Sequence, residues 1–525
     1  MPGSVPAHVP VLIAGGGPVG LAAAVELGRR GIRCLVVEPR REVSTARPRC
    51  KTLNVRTMEH LRRWGLADRL RERAPLPVSW SQDVVFCTSL SGQELSRFTG
   101  VLGLGAQGDR FTEAGQQAPQ YVLEEVLREH VNELEPCELM LGARVVAVDQ
   151  NEQTATIWLR DDAGERFTVT ADYVLGCDGP RSVVREQIGV VYVGGQALRP
   201  NFGMVFRSEK LWEHVRHGAA VQYWVVNPDA PALVGPLDRT GLWWAIAFGV
   251  EAEDGHSRAQ RIIDALAGTA IEAEVLSTDP WTARMQIVDR MRDRRVFLAG
   301  DAAHLNPPFG GHGLNTGLGD AVDLGWKLAA VLAGWGSERL LDSFEIERRP
   351  IQERVIAEAS ANMAVLSTEL LADNLENADE AGAMARKAAG RRIQETKKAE
   401  FHSLELVLGQ RFGASPVIPD AESGDSVAGD PVAGARLTHR FLTDGRSLFD
   451  VLGPELSLLV RPDGAARADA IEQAAKECGV PLTRVDLADV RLPAALVLVR
   501  PDQVVAWHGD EAPDARALIE QVRGG

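Results

Sequence analysis

Two short stretches of the chain combine residue types and spacings that can do chemistry. The first, GGGPVG, puts Gly15, Gly17 and Gly20 at the positions of a GxGxxG pattern, with Pro18 and Val19 between the second and third glycines. That spacing suits a dinucleotide diphosphate. The first glycine permits a tight turn, the second lets the diphosphate approach the backbone, and the third lets a helix pack on a strand. The second stretch, GDAAHLNPPFGGHGLNT, covers residues 300–316. Asp301 follows the buried-strand pattern RRVFLAG, a place suited to hydrogen-bonding a polyol such as ribityl. Apolar helical periodicity starts near Leu314, so the amides from Gly311 through Gly313 and Leu314 to Asn315 are expected at a helix N-terminus. About half a positive charge collects at such an end and favours an anion. His312, set between glycines, is either a reacting group or a neighbour of a site made from backbone.

These residues need elements to hold them. VPVLIAGGGPVGLAAAVELGRRGIRCLVVEP reads as a strand, a glycine turn, a helix and a second strand ending in an acid. Glu38 lies 18 residues past Gly20, where a carboxylate can accept hydrogen bonds from ribose hydroxyls. GLGAQG at 103–108 matches the same glycine pattern but has no strand before it or helix after it, and is read as loop. One full copy gives one dinucleotide site, with no second nucleotide-binding fold predicted. Further on, DYVLGCDGPRSVVREQIGV is a strand, an Asp178-Gly179 turn and a basic helical stretch with Arg181 and Arg185. The helix entered at 311–315 would meet the negative charge that gathers on the pyrimidine edge of a reduced flavin.

Composition narrows the classes. At 525 residues the chain exceeds one hydrophobic core, so two or three domains are expected. A net charge of −15 without a long basic block argues against a nucleic-acid surface. No apolar run reaches the length of about 18 residues that suggests a membrane span, and no signal peptide is apparent at the N-terminus. The six cysteines are scattered without CxxC or zinc-like spacing, which predicts reduced thiols and no metal site.

Together, the GxGxxG unit with Glu38, the CDG segment and GDAAHLNPPFGGHGLNTGLGDAVDLGWKLA resemble the single-component FAD-dependent aromatic hydroxylases, the group A flavoprotein monooxygenases. RTMEHLRRWGL and SFEIERRP extend the resemblance. GARLTHRFLTDGRSLFDVLG and LVLVRPDQVVAWHGD are similar to the C-terminal thioredoxin-like domain of one branch, which holds phenol hydroxylases, polyketide hydroxylases and rifampicin monooxygenase. The resemblance implies that Gly15, Gly17, Pro18, Val19 and Gly20 hold the FAD diphosphate and Glu38 the adenosine ribose. It implies Arg49 near the flavin and diphosphate, with Arg47 as the alternative, and Gln120 on the ribityl chain with Arg128 behind it. Asp178 is implied in FAD and NAD(P)H contacts, Asp301 at ribityl, Pro308 against the flavin ring, and Gly311, Gly313, Leu314 and Asn315 at the pyrimidine edge. The family position of His312 varies, so a flavin-adjacent, dispensable role is expected, with a substrate-side or catalytic role for His312 and Pro308 as the alternative. His304 is expected to be scaffold.

The implied fold is α/β: a Rossmann-like FAD-binding domain from segments 1–80, 110–185 and 285–350, a β-sheet substrate domain from 81–109 and 186–284, and a thioredoxin-like domain at 435–525. A long helix or helix pair at 351–412 and a linker at 413–434 join them. Gln222, Trp224 and Trp244 are the substrate-side candidates, with His214, His217 and Tyr223 beside them. The implied reaction is NADPH- or NADH-driven hydroxylation of an electron-rich aromatic by molecular oxygen through a flavin hydroperoxide, with a polycyclic polyketide as substrate. Simple-phenol hydroxylation and Baeyer–Villiger insertion are the alternatives within the family. A non-catalytic FAD-fold carrier or a flavin reductase is the alternative outside it. A cytoplasmic monomer or homodimer, free of nucleic acid and membrane, is expected.

Overall fold

The computed structural model describes residues 6–46, 51–105, 108–364, 370–419, 432–488, 490, 492, 494–511 and 514–525. Three large sheets and a two-stranded one, Thr52–Leu53 with Gln116–Gln117, organise them. The first is built on five parallel strands in the order Val296–Leu298, Arg166–Gly176, His8–Ala14, Cys34–Glu38 and Cys137–Leu141. Arg292–Asp293 joins one edge antiparallel, and Ala155–Asp161 and Ala143–Gln150 continue from Arg166–Gly176 as an antiparallel extension. Cys34–Glu38 and Val296–Leu298 are buried at every residue, as strands in a parallel sheet covered on both faces must be. The strand order reverses between His8–Ala14 and Arg166–Gly176. In doubly wound sheets, ligands bind past the carboxyl ends of the strands at that reversal. Gly15, Cys177 and Gly300 lie just past three such ends.

The helix Pro18–Gly28 packs on the helix His312–Leu332 through small residues. A Cβ on Gly325 would lie 2.5 Å from Glu26 Cβ, and one on Gly317 would lie 2.8 Å from Val19 Cγ2.

The second sheet runs His304–Leu305, Glu274–Val288, Tyr192–Arg207, Leu242–Phe248, Ala232–Pro236, Gln222–Val225, Val84–Cys87, Glu94–Phe98. Side chains alternate between its faces. Tyr223, Val234, Trp243 and Ala245 form a core with residues of the helix Ala252–Ala267. Phe86, Trp224 and Leu233 point the other way, into a cluster with Phe309 and residues of the helix Glu380–Phe401, with Trp244 packed against it.

The helix Glu338–Met363 runs through position 350, where sequence suggests a boundary. Pro350 removes one amide donor without ending the helix, because buried Phe344, Ile351 and Val355 anchor both sides of it. Glu380–Phe401 and Leu404–Leu408 follow.

The last sheet has the order Leu482–Asp486, Leu456–Val460, Leu496–Val499, Val505–Gly509, with only the first pair parallel. With the helices Ala465–Glu477 and Ala515–Val522, this is a thioredoxin-like arrangement. No helix among the described residues is long and apolar enough to cross a membrane.

Candidate active site

The glycine turn follows the first strand, and its three glycines have different reasons to be glycine. Gly15 has φ +101°, and a Cβ there would lie 2.4 Å from the Cys177 carbonyl oxygen. A Cβ on Gly20 would lie 2.0 Å from the Gly15 oxygen. Both are dictated by packing. Gly17, the N-cap of the helix Pro18–Gly28, has φ −78° and no atom within 4 Å of where its Cβ would be. No side chain caps that helix, and Pro18 begins it, so the amide end opens onto free space. Val19 turns inward, 2.9 Å from the position of a Cβ on Gly300. Glu38 is buried. Its Oε2 accepts the Gly16 amide at 2.8 Å, and its Oε1 accepts Arg40 Nε at 2.7 Å. Oε1 also accepts the Arg40 amide at 2.9 Å, so it is Oε2 that keeps a lone pair for a further donor.

Asp178 sits beside Gly15. Its Oδ2 accepts the Val184 amide at 3.2 Å, while its buried Oδ1 has no partner. Burial pushes its pKa up. Arg185 lies 4.0 Å over the Tyr192 ring, and the Tyr192 hydroxyl donates to the carbonyl of Asp301. Asp301 itself lies in the single turn Gly300–Ala302 after the fifth parallel strand. Gln120 opens the helix Gln120–Glu133. On that helix Arg128 donates through Nη1 to the Arg41 carbonyl at 3.2 Å, leaving buried Nε and Nη2 without partners. Arg47 and Arg49 lie outside the described residues.

The helix His312–Leu332 begins after Gly310 (φ +81°) and Gly311 (φ +67°), with no side-chain cap. The amides of His312, Gly313 and Leu314 have no intrahelical acceptor. Space beside this end is open: a Cβ on Gly313 would meet nothing nearer than Asn306 Cβ at 4.0 Å. The Asn315 side chain, by contrast, is fully employed. Its Oδ1 accepts the Asn54 amide at 3.0 Å and Thr57 Oγ1 at 2.7 Å. Its Nδ2 donates to the carbonyls of Thr52 at 3.0 Å and Gly311 at 2.7 Å. Asn315 therefore clasps the start of the helix to the Thr52–Leu53 strand.

His312 is buried and faces a cavity shared with Asn54, Arg56, His60, Arg348 and Arg436. That cavity lies among helices and the C-terminal domain, and Trp224, Trp244, Gln222 and Pro308 are not among its lining residues. Its Nε2 has no partner, and burial lowers its pKa to about 4, so the ring is neutral at physiological pH. His304 Nε2 is 2.9 Å from Asp320 Oδ2, which also accepts the Gly300 amide. Arg348 Nε and Gln352 Nε2 donate to Asp320 Oδ1 at 2.9 and 3.0 Å. Burial alone would raise the Asp320 pKa, but Arg348 and His304 outweigh it and hold it at about 2. His304 thus ties the Gly300 turn to the helix as scaffold.

The substrate-side residues separate by strand register. Trp224 is completely enclosed, 5.3 Å from Phe86 and 5.9 Å from Phe309 between ring centroids. Trp244 is half-buried beside Gly235, its register partner, and its Nε1 has no hydrogen-bond partner. Gln222 pairs with Val84 on the neighbouring strand and is half-buried. Tyr223 faces the opposite side of the sheet, its hydroxyl bonded to the Gly218 carbonyl, and His217 is held by the Ser89 carbonyl at 3.0 Å. His214 ends the short helix Leu211–His214. Pro308 is exposed on the turn that precedes the helix His312–Leu332. Lys51, which the sequence does not single out, reaches the same face: its Nζ lies 4.9 Å from the Trp244 ring centroid. A lysine in a polar segment carries no sequence signal of burial, and only its place just before Thr52–Leu53 could have marked it.

The site therefore offers an open helix N-terminus at Gly17, an unpartnered carboxylate oxygen on Asp178, a buried acid at Glu38 and a second open N-terminus at Gly311–Leu314. These fit FAD: a diphosphate at the first terminus, and an anionic ring edge at the second. Comparison with known proteins agrees. A family described as "FAD binding domain" matches residues 8–359, and one described as "Aromatic-ring hydroxylase, C-terminal" matches 430–524. The chain belongs to the FAD-dependent aromatic hydroxylases. A putative polyketide hydroxylase of Streptomyces halstedii is 33% identical, covering 98% of this chain and 96% of its own. The rebeccamycin biosynthetic enzyme RebC with reduced flavin superposes with a TM-score of 0.91 at 30% identity, over 99% of this chain and 100% of that one. Aklavinone-11 hydroxylase, in a ternary complex with FAD and aklavinone, gives 0.84 at 28% identity, over 98% and 99%. The cofactor of this hydroxylase is FAD, and its substrate is a small aromatic.

Proposed function

We propose that this hydroxylase uses NAD(P)H and molecular oxygen to add one hydroxyl to a bulky, hydroxylated polycyclic aromatic of polyketide type. The observation that carries the substrate class is the sheet face at Gln222, Gly235 and Trp244. There the half-buried indole of Trp244 stands beside Gly235 on a face whose neighbours Phe86, Trp224 and Leu233 are apolar, which suits a flat aromatic better than a small polar phenol. The names of the relatives, a polyketide hydroxylase and an aklavinone hydroxylase, support the same class.

In this reading Gly15, Gly17, Pro18, Val19 and Gly20 hold the diphosphate, Glu38 the adenosine ribose, and Gln120 and Asp301 the ribityl chain. Arg49 lies near the flavin, Asp178 serves FAD and NAD(P)H, and Pro308 borders the flavin ring. The amides from Gly311 to Leu314 stabilise the negative charge of the reduced ring. When bound, FAD supplies the reduction and oxygen activation that the protein side chains cannot. The chain's own residues bind, orient and exclude water. The FAD-binding segments are 1–80, 110–185 and 285–350, with 81–109 and 186–284 covering the substrate, and the enzyme works in the cytoplasm as a monomer or homodimer. Purified holoenzyme should oxidise NADPH or NADH faster when hydroxyanthraquinones are added than when simple phenols are. Stimulation by phenol alone would contradict the polycyclic class.

A further inference from the structure

On the substrate face, Lys51 is a lysine whose surroundings its packing does not explain. It is buried, and its Nζ donates to the carbonyls of Val221 and Pro236, the latter at 3.4 Å. Among the described residues it has no carboxylate partner. A Cβ placed on Gly235 would lie 2.9 Å from Lys51 Nζ, 3.0 Å from Trp244 Nε1 and 2.8 Å from the Val221 carbonyl oxygen, so the two nitrogens lie side by side over the Gly235 backbone. Trp244 Nε1 is buried with no acceptor of its own. The backbone of this segment is fixed from two sides. Lys51 O accepts the Ala118 amide at 2.8 Å, and Thr52 O accepts Asn315 Nδ2 at 3.0 Å, which ties it to the helix end assigned to the flavin ring edge. The side chain therefore crosses from the flavin side to the sheet, the interval an aromatic substrate must occupy.

A neutral lysine has two N–H donors and one lone pair, whereas an ammonium has three donors. Two carbonyls satisfy the two donors of the neutral form and leave the lone pair unused. Burial, with no opposing charge, holds the Lys51 pKa well below the ordinary lysine range.

We propose that Lys51 is a catalytic residue that takes the proton of a substrate ring hydroxyl and holds the resulting oxyanion, with Trp244 Nε1 as second donor. The substrate O–H bond breaks and the proton adds to the Nζ lone pair. The bonding electrons stay on oxygen, facing the new ammonium. An oxyanion pushes electron density into the ring, and this activates it toward an electrophilic oxygen. The assignment rests on the hydroxylated-polycycle reading above.

The test uses FAD-loaded wild type, K51M and K51Q with 1,4-dihydroxyanthraquinone, orange when neutral and violet as its anion, and with its dimethyl ether. Wild type should bind the dihydroxy compound with the violet band, and the ether about tenfold or more weakly, the worth of one charge-assisted hydrogen bond. K51Q, which keeps a donor but no base, should bind without the violet band. K51M should bind the dihydroxy compound no better than the ether. An unchanged violet band in both variants, or equal binding of phenol and ether by wild type, overturns the role of Lys51 and leaves the substrate class standing. Failure of wild type to bind either compound overturns the substrate class and this role with it. FAD content and melting temperature report folding, and if K51M loses FAD the K51Q spectrum decides.

Discussion

At Gly15 and Gly17 one added methyl should have different consequences. Gly17→Ala meets no protein atom and keeps an ordinary φ, so apoprotein stability should stay within about 0.5 kcal/mol. The methyl enters the space assigned to the diphosphate, and FAD affinity should fall about ten- to hundredfold. Gly15→Ala must put its Cβ against Cys177 in a left-handed conformation, and should lower the apoprotein melting temperature as well. Apoprotein melting curves and FAD titrations separate the two. His312 carries a pH signature. Its folded pKa of about 4 lies below the unfolded value of about 6.5, so the unfolded chain binds a proton in that interval that the folded chain does not. Stability should therefore drop as pH falls from about 6.5 to 4, by up to about 3 kcal/mol from this residue, and His312→Gln should flatten that slope in denaturant melts at stepped pH. Gly15, Gly17, Gly20 and Glu38 were legible in sequence because a turn between two apolar strands leaves little freedom in where they point. The role of the Asn315 side chain was not, because its four partners come from distant segments that only the fold assembles.

At the scale of elements, the helix His312–Leu332 is held at its start and its middle. Its start is clasped by Asn315, and its middle is gripped by Arg500, which enters from the C-terminal domain fully buried. Arg500 donates to Glu347 Oε1 at 2.8 Å and to Asp323 Oδ1 at 2.9 Å, and it also bonds Asp502. Lys327 bonds Asp323 and Glu347 at 2.9 and 2.6 Å. Three buried acids face two cations, and burial pushes Asp323 up to about 7 against the pull of Lys327 and Arg500. Removing one partner strands the others in a dry interior, so Arg500→Met should cost about 3–5 kcal/mol in urea unfolding. A much smaller loss would mean that water reaches the network. The period-3.6 pattern after residue 314 announced this helix, and the β-sheet expected over 186–284 took in the strands around Trp224 and Trp244. Which of those tryptophans is enclosed depends on where Phe86 and Phe309 arrive, and no local pattern encodes that.

The whole molecule divides the work. A doubly wound sheet presents strand ends and two open helix N-termini, and a second sheet presents an apolar face. The C-terminal domain, with Cys478 as its single cysteine, bears on the helices between them through Trp326, Trp335 and Leu340. The Rossmann-like character of the first domain was legible from one βαβ unit and two later strand-turn motifs, but its strand order was not. The joint between domains was not, since its buried charges read in sequence as ordinary surface residues. The central proposal is that FAD at the Gly17 end serves aromatic hydroxylation at the sheet face. The direct measurement is a turnover of the holoenzyme with NADPH, isotopically labelled dioxygen and 1,4-dihydroxyanthraquinone, followed by mass spectrometry of the product. The predicted result is an intact ring system carrying one new hydroxyl whose oxygen comes from dioxygen. NADPH consumption that yields only hydrogen peroxide, or a product whose added oxygen comes from water, would contradict it.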